Sequence, residues 1–270
     1  MLSFATMATV ALDRDGSATV QHPLERVLAA AAGAGFRGVA LDWFTLRAAE
    51  RAGTSLFDVA ERVRELGLVV TDLSALGLGA DASTDERVSA SMARRCAALG
   101  IPLCALVLTV PPSPAVDDRV ARVADVFTAN GVRLALEFVP YTAVKTLAEA
   151  REVCERVGYD RCGVLVDTWH LARSGGSSAD LADLAPHEIA CVQLADAALE
   201  AADGLADESR RGRLLPGDGV VDFPAVAAAL SKVGYDGPLG SEVLVCRLAG
   251  RTPEDVAEAC FRAARTFFPA

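Results

Sequence analysis

Histidine is scarce in this chain: 270 residues hold three, at positions 22, 170 and 187. A centre built from many imidazoles is therefore excluded. Basic residues are outnumbered, 26 against 36 acidic, for a net charge of −10. An acidic protein repels phosphate backbones, so nucleic acid is not an expected partner. No apolar run reaches the length that spans a bilayer, and no membrane partner is expected. The opening MLSFATMATVALDRDG lacks the basic segment and small-residue cleavage site of a signal peptide, and reads instead as a first strand. The seven cysteines (96, 104, 154, 162, 191, 246 and 260) include no CxxC pair. Most lie within apolar patterns and none in a polar loop. They read as reduced, buried thiols of a cytoplasmic protein rather than as nucleophiles or a disulfide framework. A Gly-rich phosphate turn after the first strand is also missing, which argues against a dinucleotide-binding open sheet.

What remains is a strongly apolar chain, 52% hydrophobic, with material for a large core. Short apolar runs alternate with Ala-rich amphipathic segments. Strands are predicted over 4–11, 38–43, 68–73, 103–109, 133–138, 163–167, 189–194 and 239–244. Helices are predicted over 23–34, 56–66, 85–99, 117–130, 146–157, 178–184, 223–233 and 253–267. A Pro-rich break, PPSP, lies at 111–114, and a long polar stretch at 197–219 reads as a functional loop. Eight strands alternating with eight helices imply a parallel sheet, and eight units in this length fit a closed (β/α)8 barrel as one domain over 1–270.

The segment GVLVDTWHLARSGG, 163–176, stands out. An apolar strand delivers Asp167, then Trp169 and His170, into what reads as a loop. The neighbouring strands end alike: LALEF in Glu137, CVQLAD with Gln193, LGSEVL with Glu242. Consecutive barrel strands place such residues around one arc of the C-terminal rim. Each alone has an ordinary explanation, as a solvated strand end, a turn cap or a satisfied backbone partner. Four such residues ending four consecutive apolar strands are poorly explained by coincidence. Three clustered carboxylates repel one another, and a divalent cation resolves the conflict. With an amide oxygen beside them, the all-oxygen set favours Mg²⁺ or Mn²⁺ over Zn²⁺.

His170, three residues past Asp167 and beside Trp169, is placed over this pocket for substrate contact or proton handling. The other two histidines read as structural or solvated. Arg213, next to the LPGDG turn, is a solvated charge or a guanidinium at the pocket mouth that binds a substrate hydroxyl, carboxylate or phosphate. Asp42 and Trp43 end the second strand on the same rim, as a plain strand end with an aromatic lid or as substrate contacts.

The run from LALEFVP through VDTWHLARSGG and VQLAD to LPGDG and GPLGSEVL resembles the sugar phosphate isomerase/epimerase family, the xylose isomerase-like TIM barrel superfamily. The motifs are specific for the superfamily and not for one reaction. The resemblance implies a metal held by Glu137, Asp167, Gln193 and Glu242, with the two glutamates as a proton-transfer pair. It implies substrate binding by His170 and Arg213. Gln193 departs from the family, which commonly has His there, and so resembles some bacterial 3-dehydroshikimate dehydratases. Endonuclease IV, a multi-zinc member, is set aside for want of histidines and for the acidic charge. The expectation is a metal-dependent isomerase or epimerase of a small polyhydroxylated carbonyl compound, with catalytic Glu137, Glu242 and His170. Trp169 and Asp42 are further substrate contacts. A dehydratase of the dehydroshikimate or inosose type is the alternative, and a non-catalytic binding barrel the third. Barrels of this kind are often homodimers or homotetramers.

Overall fold

The computed structural model of the chain describes residues 1–13, 17–201, 204–244 and 251–269. Strand β1 (Leu2–Ala5) runs into a 3₁₀ turn, and the antiparallel hairpin β2 (Val10–Leu12) and β3 (Ala18–Val20) follows. Next come α1 (Leu24–Ala34), β4 (Gly38–Asp42), α2 (Trp43–Arg51), α3 (Leu56–Glu65), β5 (Val69–Leu78) and α4 (Ala82–Leu99). The middle of the chain gives β6 (Leu103–Leu108), α5 (Pro114–Thr128), β7 (Arg133–Glu137) and α6 (Leu147–Val157). Then follow β8 (Cys162–Asp167), α7 (Thr168–Arg173), α8 (Ser178–Leu181) and β9 (Ile189–Leu194). The last elements are α9 (Leu205–Arg211), α10 (Phe223–Lys232), β10 (Leu239–Ser241) and α11 (Pro253–Phe267).

Strands β1 and β4 to β10 form a closed, all-parallel barrel, sealed where Phe4 pairs with Ser241. Alternation along each strand decides which side chains reach the axis. In β7, Leu134 and Leu136 join the core under the helices, whereas Ala135 packs with Leu103, Ala105, Leu165 and Cys191. Glu137 shares the inward face of Ala135 and stands at the strand's C-terminal end. Room inside is limited: a Cβ on Gly163 would overlap the Arg133 guanidinium, which donates to the His187 carbonyl at the barrel's N-terminal side.

Three expectations are corrected. The first strand stops at Ala5, because the Thr9 hydroxyl donates to the Thr6 carbonyl and closes a turn that diverts the chain. The PPSP break is the start of α5, with Ser113 as N-cap and Pro114 in the first turn, where the missing N–H costs nothing. The segment after Asp167 is a helix, not a loop, and a further helix follows Asp42 in the same way. In both places a strand passes into a helix through an aspartate that caps it.

The six cysteines within the described residues are buried and free, and burial pushes the Cys104 and Cys191 thiols up, which suppresses thiolate chemistry. Cys246 lies outside the described residues. Among those residues no helix is long and apolar enough to cross a membrane.

Candidate active site

Glu137 ends β7 and Asp167 ends β8. In the barrel register Asp167 faces Gln193 on β9, which in turn faces Gly240 on β10, two residues before Glu242. All four predicted residues are buried, with exposures of 9% for Glu137, 0% for Asp167, 4% for Gln193 and 7% for Glu242. The Thr168 hydroxyl donates to the Ala195 carbonyl at 2.7 Å and accepts the Ala195 N–H at 2.9 Å, which ties the end of β8 to the end of β9.

Asp167 caps α7. Its Oδ1 accepts the backbone N–H groups of Trp169 (2.7 Å) and His170 (3.1 Å). This cap turns His170 back over the barrel axis, where its Nε2 lies 3.0 Å from Glu137 Oε1. Donor atoms of Glu137, Asp167 and His170 all fall within 4.8 Å of one another. Gln193 Oε1 and His170 Nδ1 are buried with no hydrogen-bond partner among the described residues. Buried polar atoms are ordinarily satisfied, so these two are open to a ligand or a water.

Burial pushes the Glu242 carboxyl well above its usual range; Arg213 opposes the shift, while Glu137, Asp167 and Asp72 add to it. Asp72, in β5, is raised to about 6 by burial, against the Thr71 hydroxyl that donates to it at 2.8 Å and with Glu137 adding. The site therefore holds more carboxylates than its own positive charge accommodates.

Arg213 lies far from the solvated mouth that the sequence suggests. It is 2% exposed and points into the carboxylates. Its Nη1 donates to Asp167 Oδ2 at 2.6 Å and to the Glu242 carbonyl at 3.2 Å. Its Nε donates to the Ser209 carbonyl at 2.8 Å, and Nη2 to Ser209 Oγ at 3.1 Å, with His170 Nε2 at 3.2 Å. A guanidinium has five N–H donors; four have an oxygen acceptor within the protein, and the fifth faces His170 Nε2, which accepts it only in the tautomer that leaves Glu137 without that donor. Arg213 is thus bound mainly to the protein, with one N–H directed at the imidazole beside Glu137. Burial would depress the guanidinium's pKa, but Asp167 and Glu242 outweigh it and hold the charge in place.

Two further expectations are corrected. Trp169 is fully buried, its indole N–H donating to Glu208 at 3.2 Å and its ring 5.4 Å under the Arg213 guanidinium. It supports Arg213 and offers no face to a substrate. Asp42 is 1% exposed and already engaged by the Thr6 hydroxyl on Oδ2 and by the Thr45 N–H on Oδ1 at 2.8 Å. It is a helix cap with one donor on each oxygen. Trp43 lies beneath Arg47 and Arg95 on the outer helices.

Sequence reasoning missed Asp72, whose signal was a lone acid within an apolar strand. It also missed Tyr141, whose ring centroid is 6.2 Å from that of His170 and which remains partly exposed at the mouth. The third omission is Asp196, which organises the loop carrying Arg213. Its oxygens accept the N–H groups of Ala197 (2.8 Å) and of Gly217, Gly219 and Val221 (2.9 Å each), a backbone nest around one carboxylate. Gly217 sits at φ +93° in this loop, and a Cβ on Gly219 would collide with the Ala197 carbonyl and with Asp196 itself. Gly217 is thus required by its backbone conformation and Gly219 by its close approach to Asp196.

A closed parallel barrel with buried carboxylates and an imidazole at its C-terminal mouth defines a class of (β/α)8 proteins with a polar axial site. The chain belongs to the xylose isomerase-like TIM barrel family, whose model matches residues 28–263. It is 32% identical over 127 residues to a 3-dehydroshikimate dehydratase of Pseudomonas aeruginosa, a match covering 47% of this chain and 20% of that protein. It is 28% identical over 124 residues to an inosose isomerase of Halalkalibacterium halodurans, covering 45% of this chain and 43% of that one. The chain thus spans less than half the length of either curated relative. Among solved structures, the IOLI protein with a binding zinc atom superposes with a TM-score of 0.85 at 20% identity, covering 100% of this chain and 99% of that one. An L-ribulose 3-epimerase superposes at 0.72 and 21% identity, covering 98% and 92%. Both structural likenesses are of fold.

Proposed function

We propose that this chain is a divalent-cation-dependent isomerase or epimerase of a small, polyhydroxylated carbonyl compound. One observation carries the reading: Glu137, Asp167 and His170 converge within 4.8 Å, all buried, at the barrel mouth. The orphaned oxygen of Gln193 and the crowded carboxyl of Glu242 fit the same demand for a cation. Glu137, Asp167, Gln193 and Glu242 would hold it, with the His170 ring in reach. A bound divalent ion supplies electrophilic stabilisation of negative charge that develops on the substrate oxygens. His170 adds an imidazole nitrogen to what the sequence presents as an all-oxygen set, so the donor types do not choose between Mg²⁺ or Mn²⁺ and Zn²⁺.

The chain's own groups account for the proton traffic. Glu137 is the base that takes the proton from the carbon beside the carbonyl. His170, with Nε2 3.0 Å from it, orients the carboxylate by donating its Nε2–H. Glu242, carried on the strand beyond Gln193, returns a proton from the other side of the pocket. Tyr141 closes the mouth beside His170.

A dehydratase is the second reading, supported by the similarity to 3-dehydroshikimate dehydratase and by Gln193. The commitment of Arg213 to protein acceptors speaks for a neutral substrate such as a keto-cyclitol, since that guanidinium is not offered to a substrate carboxylate. The test compares metal content in wild type and Asp167→Ala, then assays keto-cyclitols, keto-sugars and dehydroshikimate. Stoichiometric metal lost in the variant, with isomer formed from a neutral ketone, is expected. New ultraviolet absorbance from dehydroshikimate would select the dehydratase instead, and no metal in either protein would remove the reading.

A further inference from the structure

Two of the residues that would hold a divalent cation, Asp167 and Glu242, already face a guanidinium. Asp167 Oδ1 is taken by two backbone N–H groups, and Oδ2 accepts from Arg213 Nη1 at 2.6 Å. A carboxylate offers about four lone-pair sites. Three are used, and the fourth lies on the oxygen that faces the guanidinium. Glu242 is shared in the same way, with Oε2 3.5 Å from Nη1 and its carbonyl bonded to the same nitrogen. His170 Nε2 lies between Arg213 Nη2 at 3.2 Å and Glu137 Oε1 at 3.0 Å. Nor is the guanidinium a loose surface charge. Two bonds to Ser209 fix it, the Trp169 ring underlies it, and the Asp196 nest anchors the loop just beyond it.

We propose that Arg213 competes with the divalent cation for Asp167 and Glu242, so that its charge sets the upper limit on the site's metal affinity. The inference rests on the metal reading above and assigns Arg213 a role toward the ion. Two cations that share Oδ2 repel each other across a buried, weakly screened gap. The guanidinium cannot relieve this by losing its proton. Removing the positive charge therefore strengthens binding of the ion, even though it also removes a group that orders the ligands.

The test is titration calorimetry with Mn²⁺ on chelator-treated protein, comparing wild type, Arg213→Met and Arg213→Lys. Arg213→Met is expected to bind Mn²⁺ at least tenfold more tightly than wild type, and Arg213→Lys, which keeps a charge, within about threefold of it. Arg213→Gln, a neutral side chain that keeps an N–H donor for Asp167, serves the same comparison if Arg213→Met does not fold. Equal or weaker binding in the neutral variant overturns the proposal while leaving the metal site standing, because Arg213 would then organise the ligands rather than compete. Tight binding in Arg213→Lys overturns it too, since charge would not be the cause. Absence of Mn²⁺ binding in all the proteins removes the metal reading and this inference together.

Discussion

Arg213 and Asp167, 46 residues apart in sequence, form a buried ion pair with 2.6 Å between Nη1 and Oδ2. The pair fixes the end of β8 to the loop after α9, and it places a full positive charge on the barrel axis. Breaking one partner of such a pair leaves an uncompensated buried charge, a loss of about 3–5 kcal/mol. Arg213→Ala is therefore expected to lower unfolding stability by that order in chelator-treated protein. Added divalent cation should restore part of it by binding the folded state. Urea titrations with and without Mn²⁺ measure both effects.

Glu242→Gln keeps shape and buried volume but cannot exchange a proton. It should leave the circular dichroism spectrum and the melting temperature at or above wild type, since burial already disfavours the charged carboxylate. Its kcat on whichever ketone the wild type converts should fall at least about 10²-fold, the scale of a lost general acid or base. Wild-type turnover in this variant would exclude Glu242 from the chemistry.

Asp72 yields a pH prediction. Its folded-state value is about 6, above the ordinary 3.8. An acid raised in the folded state binds more protons there than in the unfolded chain between those two values. Its neutral form suits the fold below about pH 4, and stability is lost as pH rises through 6. Asp72→Asn removes this loss. The variant should be more stable than wild type at pH 7 by up to about 3 kcal/mol, with the gain fading toward pH 4. Paired denaturant titrations across that range check the sign, and a gain that grows at low pH would contradict it.

Asp196→Ala removes the acceptor for four backbone N–H groups. Hydrogen bonds to a charged group are worth roughly 1.5–3 kcal/mol each when one partner is deleted, so a loss of at least about 2 kcal/mol is expected. The amides of Gly217, Gly219 and Val221 should exchange with solvent much faster, and Arg213 should lose its fixed approach. Hydrogen exchange reads the loop directly and separates this effect from global unfolding.

The sequence by itself determined the barrel and the axial acids. Alternating apolar runs and amphipathic segments are local properties, and a polar residue that ends an apolar strand is visible without any fold. The helix after Asp167 was not legible, because its cap follows the strand with no intervening turn signal. Asp72 was hidden by the apolar strand around it.

What the tertiary structure decided is which of two similar aspartates joins the axial cluster. LDWFTL and VDTWHL both end a strand in Asp and place a tryptophan in the first turn of the helix that follows. Asp42 has Thr6 against its second oxygen and is a cap alone. Asp167 uses one oxygen for its cap and turns the other to Arg213, beside Glu137 and His170. The same division moved Arg213 from a polar loop, where composition placed it, to the barrel axis. A loop's sequence does not encode where it folds back, whereas a cluster of buried carboxylates favours a cation beside it.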